Sequence, residues 1–374
     1  MLRRQFRIDS SHLATRIAYS STPRPLERRM AFLEQLFAIV RNTFLECIRQ
    51  PLTLVVVLAA LLLVVLSNQF SAFTMSDDQR MYVDLGLSTV FMAGALLAAF
   101  LATSVVDQEI ANKTVLMVVS KPVARATFVL GKYFGVTLAL LASMALPAMA
   151  FLLMEVHGVM QTAATPVRWP VVVLGVSAAS LTLIAAAWCN FFYGKSFAAI
   201  MISLGGPLLL VAYVLSLFFD PAWGSIPASE DFRPELLVSL LLMFVALCVL
   251  SAVSIAASTR LGQVLTIGVT LGVLVIGLLS DWIFGRRIQA LEQLVAIRES
   301  AHESALNADA VGLFGCKVAY AVIPNFQVFW VVDAVNQNQM IPFDYLAYVL
   351  PYGMLMVAAI LALAVALFQR REVG

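Results

Sequence analysis

The chain has 374 residues, of which 61% are hydrophobic and only 12% charged, with a mean hydropathy of +0.91. Soluble domains carry about 25% charged residues, so this composition, with several apolar runs of about 20 residues, excludes an ordinary soluble globule and predicts an all-α polytopic membrane protein. A formal net charge of +2 gives no electrostatic case for a nucleic-acid partner, and Cys47, Cys189, Cys248 and Cys316, with no C-x-x-C pair, point to buried thiols rather than a disulfide or zinc framework.

Residues 1–25 read as a loose tail rich in Ser, Pro and Arg. A secretory signal would put an apolar core within the first 15–30 residues, and none is there, so the N-terminus is expected to be cytoplasmic and uncleaved. From Leu26, apolar residues (Leu33, Leu36, Phe37, Val40, Phe44, Cys47 and Ile48) recur at three- and four-residue steps opposite Arg28, Arg29, Glu34, Arg41, Glu46 and Arg49. That pattern predicts an amphipathic entry helix on the inner membrane surface, ended by Pro51. Residues 1–50 thus form a cytoplasmic entry region.

Charge-free runs follow near 52–71, 85–106, 133–154, 169–190, 197–219, 236–258, 262–280 and 346–368. Each is about long enough to cross roughly 30 Å of hydrocarbon, giving about eight transmembrane helices. The pair at 169–219 also reads as a re-entrant hairpin. With both termini inside, only seven of the 24 Lys and Arg residues fall in outer segments, as the positive-inside rule requires. Trp169, Trp223 and Trp282 then mark outer helix ends and Trp188 an inner one. The transmembrane region is 51–283, an extracytoplasmic loop with interfacial helices occupies 284–344, and the last span and cytoplasmic tail occupy 345–374. Within the loop, a polar helical stretch from Arg286 gives way to an aromatic segment around Pro324-Asn325, whose Phe326, Phe329 and Trp330 are expected at the outer interface.

Two stretches share a plan of helix, short basic break, helix and outer Asp, with breaks at Tyr193–Ser196 and Thr259–Gly262. This is either a duplicated hairpin or the common form of two inner turns. Gly194-Lys195-Ser196 lacks the upstream glycine and strand of a phosphate-binding loop and is a helix-connecting turn. Gly268 and Gly272 have small-x-x-x-small spacing, suited to packing within the chain or to a dimer face. Ser203-Leu-Gly-Gly-Pro207 and Pro147 are expected to kink their helices. His12, His157 and His302 are too scattered for a metal site or catalytic triad, and Glu155 with His157 reads as an interfacial pair. No catalytic, cofactor-binding or metal residues are assigned, and no enzyme activity is expected of the chain. None of the eight predicted cores contains an ionisable residue, so an ion gradient has no obvious relay to act on.

One polar stretch stands apart. Asp107 to Lys132, DQEIANKTVLMVVSKPVARATFVLGK, carries Asp107, Glu109, Lys113, Lys121, Arg125 and Lys132 between two long apolar runs. Its pattern D-x-E-I-x-N-K-T-(x)5-S-K-P-V-A-R-(x)5-G-K resembles the cytoplasmic coupling segment of type-2 ATP-binding-cassette (ABC) exporter permeases. It is most similar to the branch grouped with copper-enzyme maturation permeases. The entry helix, the Ile-Pro-Asn-Phe segment before the last span and the closing Phe368-Gln-Arg-Arg-Glu372 also resemble that family. The chain departs from it in having Lys113-Thr114 where other branches have Gly-Thr, Ala124 where a capping hydroxyl is usual, and about eight spans against a six-span core.

The resemblance implies a six-helix permease core plus an extra hairpin, in the cell (inner) membrane. It also implies a separate cytosolic ATPase subunit that binds the ATP, and a second permease copy or homologue as dimer partner, all within membrane lipid. The implied ATPase-coupling interface is Asp107, Glu109, Asn112, Lys113, Thr114, Ser120, Lys121, Pro122, Arg125 and Lys132. Physically, a short helix with Ile110, Val115, Leu116 and Val118 on its apolar positions suits a helix-in-groove contact. A gradient-driven or facilitative carrier and a non-transporting assembly protein are the other readings.

Overall fold

In hydrocarbon every backbone N–H and C=O must be paired within the segment, so the charge-free runs have one economical solution, the α-helix. The computed structural model describes residues 25–71, 78–111, 124–159, 166–300 and 308–369. Their helices are α1 (Pro25–Arg49), α2 (Pro51–Ser71), α3 (Asp78–Ala111), α4 (Arg125–His157), α5 (Trp169–Tyr193), α6 (Phe197–Ser216), α7 (Pro234–Ser258), α8 (Gln263–Leu278), α9 (Arg286–Ser300), α10 (Ala308–Val322), α11 (Val332–Asn336) and α12 (Phe343–Gln369). The protein is an all-α polytopic membrane protein.

Seven of these helices, α2 to α7 and α12, are long and apolar enough to cross a membrane. Seven of the eight predicted runs therefore have a helix of spanning length, and 169–219 holds two, α5 and α6. The run at 262–280 differs. Its helix α8 has 16 residues, or about 24 Å, short of the roughly 30 Å core. It continues through a π-turn at Asp281–Gly285 and, with Asp281–Ile297, makes a pair bent by 51° that passes the same test only as a unit. A second bent pair joins Asp309–Val322 to Gln327–Asn336. The break in the second pair is Ile323-Pro324-Asn325-Phe326, where the proline cannot continue the helix.

The bundle has a central trio and a periphery. In their most apolar stretches α3, α4 and α7 are 61%, 67% and 56% buried, against 22% for α5 and α12. Contact within the trio depends on small residues. Tyr82 stacks on Phe151 with ring centroids 5.4 Å apart and donates its hydroxyl to the Phe151 carbonyl at 3.0 Å. One turn along α3, Gly86 leaves room for the same ring, which a Cβ there would meet at 2.4 Å. Ser254 on α7 donates to the Ala99 carbonyl of α3 at 3.2 Å. The Gly205-Gly206-Pro207 stretch lies inside a continuous α6, where the glycines admit Leu146 and Ala145 of α4.

Two small-x-x-x-small pairs behave oppositely. At Gly131 and Gly135 on α4, helix α1 comes so close that a Cβ would lie 2.6 Å from Ile39 and 2.5 Å from Thr43. The pair singled out by sequence, Gly268 and Gly272 on α8, has no heavy atom of the described residues within 4 Å of either Cβ position. Among the described residues the close approach belongs to Gly131 and Gly135.

A second correction concerns the segment after α10. Phe326 and Phe329 are each 1% exposed, not interfacial. Phe326 rests on Gly277 of α8, and its backbone N–H donates to the Gly277 carbonyl at 3.2 Å. Phe329 packs near Tyr352 and Gly353 of α12. The segment is a plug set between helix ends, followed by α11, whose Val332 and Val335 are buried. Trp169, Trp188, Trp223 and Trp282 are all exposed from the bundle, as membrane-interface anchors are.

Replacing Gly135 with Val is expected to cost about 1–3 kcal/mol by forcing α1 away from α4, whereas Gly268→Val is expected to change stability by no more than about 0.5 kcal/mol. Thermal unfolding of the two variants in detergent measures both, and equal effects would contradict the packing described.

Candidate functional site

The polar stretch from Asp107 to Lys132 begins as a continuation of α3, whose helix runs unbroken to Ala111 and so carries Asp107 and Glu109 at its end. Asn112, Lys113, Thr114, Ser120, Lys121 and Pro122 lie outside the described residues. Helix α4 starts at Arg125, with Ala124 as an extended N-cap that makes no side-chain capping bond. The hydroxyl whose absence the sequence pointed out is thus missing at a real helix start.

Arg125 and Lys132 meet different surroundings. Arg125 is exposed and donates from Nη1 to the carbonyl of Gln369 at 2.6 Å, a cation on the C-terminal end of α12. Lys132, two turns later, is 1% exposed. Its Nζ lies 3.8 Å from Oε2 of Glu46 on α1 and 5.7 Å from the centroid of the Phe128 ring. The same Phe128 stacks on Phe368 of α12, centroids 5.5 Å apart. A desolvated ammonium needs a counter-charge close by, and a ring face adds to it. Lys132 therefore faces inward and joins α1 to α4, while Arg125 joins α4 to α12. Glu46 was read from sequence only as part of a polar helix face. Its partner was marked by the neighbouring Gly131 and Gly135, which bring α1 within reach.

Next to this pair, burial pushes the Cys47 thiol up to about 12, and the Glu46 carboxylate adds to the shift. The joint between α1 and α2 is fixed to α3 by Gln50, whose amide donates to Ser104 Oγ at 2.9 Å, and is braced across itself by Thr53, whose hydroxyl donates to the Cys47 carbonyl at 2.9 Å. The part of α3 that leads into the polar stretch is thus tied to the α1–α2 joint through Ser104.

At the opposite end of the bundle lies a second polar cluster. Glu155, near the end of α4, accepts from Arg233 Nη1 at 2.7 Å and from Gln79 Nε2 at 3.2 Å. Arg233 also donates to Asn338 Oδ1 at 2.8 Å and to the Val335 carbonyl at 3.3 Å. Asn336 donates to Asp84 Oδ1 at 2.6 Å. One guanidinium therefore connects α4, the start of α7 and the segment after α11. Asp78, Gln79, Arg80, Arg233, Asn336 and Asn338 line a cavity of about 290 Å³ beside it. In sequence Glu155 was paired with His157; Arg233 was read only as an outer charge. A paired Arg168 and Asp231 bind the loops before α5 and α7 in the same region. Among the described residues no three His, Cys, Asp or Glu side chains gather as metal ligands would.

Residues 61–263 match the family described as ABC-2 family transporter protein. That is more than half of the chain, and the chain belongs to this family. It is a membrane permease component of an ABC transporter. The match is to the ABC-2 family at large rather than to a branch within it. No curated protein matches the chain in sequence.

Removing Arg233 leaves a carboxylate that is 9% exposed without its guanidinium. Arg233→Met is expected to lose about 3 kcal/mol of stability, and Glu155→Gln with Arg233→Met to recover part of it; denaturant or thermal unfolding of the pair of variants measures this. Burial both raises the Cys47 thiol's pKa and shields it, so at pH 8 Cys47 should resist maleimide until unfolding, while the partly exposed Cys316 labels first. Peptide mapping after a timed pulse distinguishes the two, and early labelling of Cys47 would show that α1 detaches from α4.

Proposed function

Starting from membership of the ABC-2 family, we propose that the chain is a permease subunit that moves its substrate across the cell (inner) membrane using ATP hydrolysed in a separate cytosolic ATPase subunit. The ATPase docks on the stretch from Asp107 to Arg125. The observation that carries this reading is mechanical. The stretch is bounded by α3 and α4, two of the three most buried spans, and α3 continues as helix as far as Ala111. A displacement applied there is passed directly to the core of the bundle. Within the proposed interface Arg125 is exposed, while Lys132 acts behind it by holding α1 to α4.

In this reading both termini are cytoplasmic, which the bias of Lys and Arg supports. The working unit is a dimer with a second permease copy or homologue, and the open faces of Gly268 and Gly272 leave room for close helix approach on α8. The charge-free centres of the spans favour this reading over a gradient-driven carrier.

The protein expressed from its native locus is expected to co-purify with an ABC ATPase. In the reconstituted complex Glu109→Lys or Arg125→Glu should lower coupled transport at least tenfold while ATP hydrolysis continues. Absence of any ATPase from the purified protein, or unchanged coupling in both variants, would overturn the assignment.

A further inference from the structure

The first turn of α4 and the last turn of α12 supply what each other lacks. Helix α4 opens with two disadvantages. Ala124 at its N-cap has no side-chain oxygen to offer the unpaired N–H groups of the first turn. Its first residue, Arg125, sets a cation at the positive end of the helix dipole. Helix α12 has the opposite need, because the carbonyl of its last residue, Gln369, has no acceptor role left inside the helix. Arg125 Nη1 donates to that carbonyl at 2.6 Å. The cation that is misplaced on α4 is thus well placed on α12. One turn behind it Phe128 and Phe368, each 6% exposed, stack with centroids 5.5 Å apart and planes 17° from parallel.

This joint has firm packing on both sides of it. Farther along α4, Gly131 and Gly135 lie against α1, and Lys132 faces Glu46. On α12, Leu361 and Ala364 are buried, and Gly353 lies against Val245 of α7. The part free to yield is therefore the short piece from Arg125 to Leu130 together with the end of α12. It is also the point at which the polar stretch from Asp107 to Arg125 enters the bundle. Of its two contacts the aromatic stack is buried, while the Arg125 bond is exposed and competes with water.

We propose that the start of α4 and the end of α12 form and separate as one unit, and that Arg125, Phe128 and Phe368 are positioning residues that carry a displacement of the polar stretch to the last span. When the first turn of α4 unwinds, Arg125 leaves the Gln369 carbonyl and Phe128 leaves Phe368, so α12 loses its hold on α4 at that end. The transmission role rests on the ATPase docking on this stretch. The mutual dependence of the two turns does not.

Hydrogen exchange of the full chain in lipid nanodiscs, read by mass spectrometry, tests the dependence. The Phe128 N–H makes the first helical bond of α4, to the Ala124 carbonyl at 3.2 Å. In Phe368→Ala the amides of Phe128–Gly131 are expected to exchange about tenfold faster, with those of Leu140–Met144 unchanged. Adding Ala124→Asp, which supplies a cap and a charge of the favourable sign, should slow them again by about fivefold. Unchanged exchange at Phe128–Gly131 in Phe368→Ala overturns the proposal. So does a loss that Ala124→Asp does not recover, since lost burial alone would then account for it. If Phe368→Ala also speeds Leu140–Met144, the exposed variant Arg125→Gln decides, and it must speed Phe128–Gly131 by about threefold for the proposal to stand.

The transmission role is read in the reconstituted complex with its ATPase. Ala124→Asp alone, which fixes the first turn, should lower transport per ATP hydrolysed at least threefold while the ATPase still co-purifies and turns over. An unchanged ratio overturns that role. Failure of any ATPase to co-purify overturns the permease reading instead, and leaves the exchange result standing.

Discussion

The contact between α1 and α4 is the constraint from which the rest of this end of the molecule follows. Gly131 and Gly135 remove the side chains that would hold the helices apart, and the gap is closed by Ile39, Val40 and Thr43 of α1. Only with the backbones this close does Glu46 come within 3.8 Å of the Lys132 ammonium. Steric fit comes first and the charge pair depends on it. An ammonium this deeply buried would be costly without a counter-charge. The pair is thus weak evidence for stability and better evidence for register, since sliding α1 by one turn would take the carboxylate out of range.

At the other end the fixing element is Arg233. Planar guanidinium donors can satisfy several acceptors at once, and here they reach Glu155, Asn338 and the Val335 carbonyl. The plug of Phe326 and Phe329 and the short α11 are thereby joined to the central trio by both apolar burial and charge-assisted bonds. The two polar centres, one at each end of α4, are separated by an apolar length of the same helix. That arrangement fits a membrane protein whose charged pairs lie toward its boundaries.

Much of the fold was legible because the surroundings leave so few alternatives. A run such as Leu52–Ser71 without a charge has no stable form in hydrocarbon other than a helix, and the helix observed there begins one residue earlier, at Pro51. The coupling stretch was legible as a motif, and the helical extension to Ala111 with an uncapped start at Ala124 gives its two ends a physical form. What sequence could not supply was partnership between distant segments. Gly131-x-x-x-Gly135 and Gly268-x-x-x-Gly272 have the same spacing, and only the tertiary fold shows that, among the described residues, a helix packs onto the first and not onto the second. Phe326 and Phe329 next to Pro324 read as interfacial and are buried, because an aromatic ring suits both places and the sequence does not say which. Lys132 reads in sequence as part of the coupling interface, and its burial depends on α1, a helix distant from it in sequence.

The length of α3 carries a further consequence. Its 34 residues span about 51 Å, some 20 Å more than the hydrocarbon core needs. Because its central stretch is clamped between α4 and α7, the helix works as a lever with its fulcrum in the bundle. A tilt of about 5° around the midpoint would carry each tip sideways by about 2 Å, without breaking a single backbone bond within the rod. Small changes in how the core packs are thus converted into displacements large enough to open or close a contact at the tip, and the gearing works equally in the reverse direction.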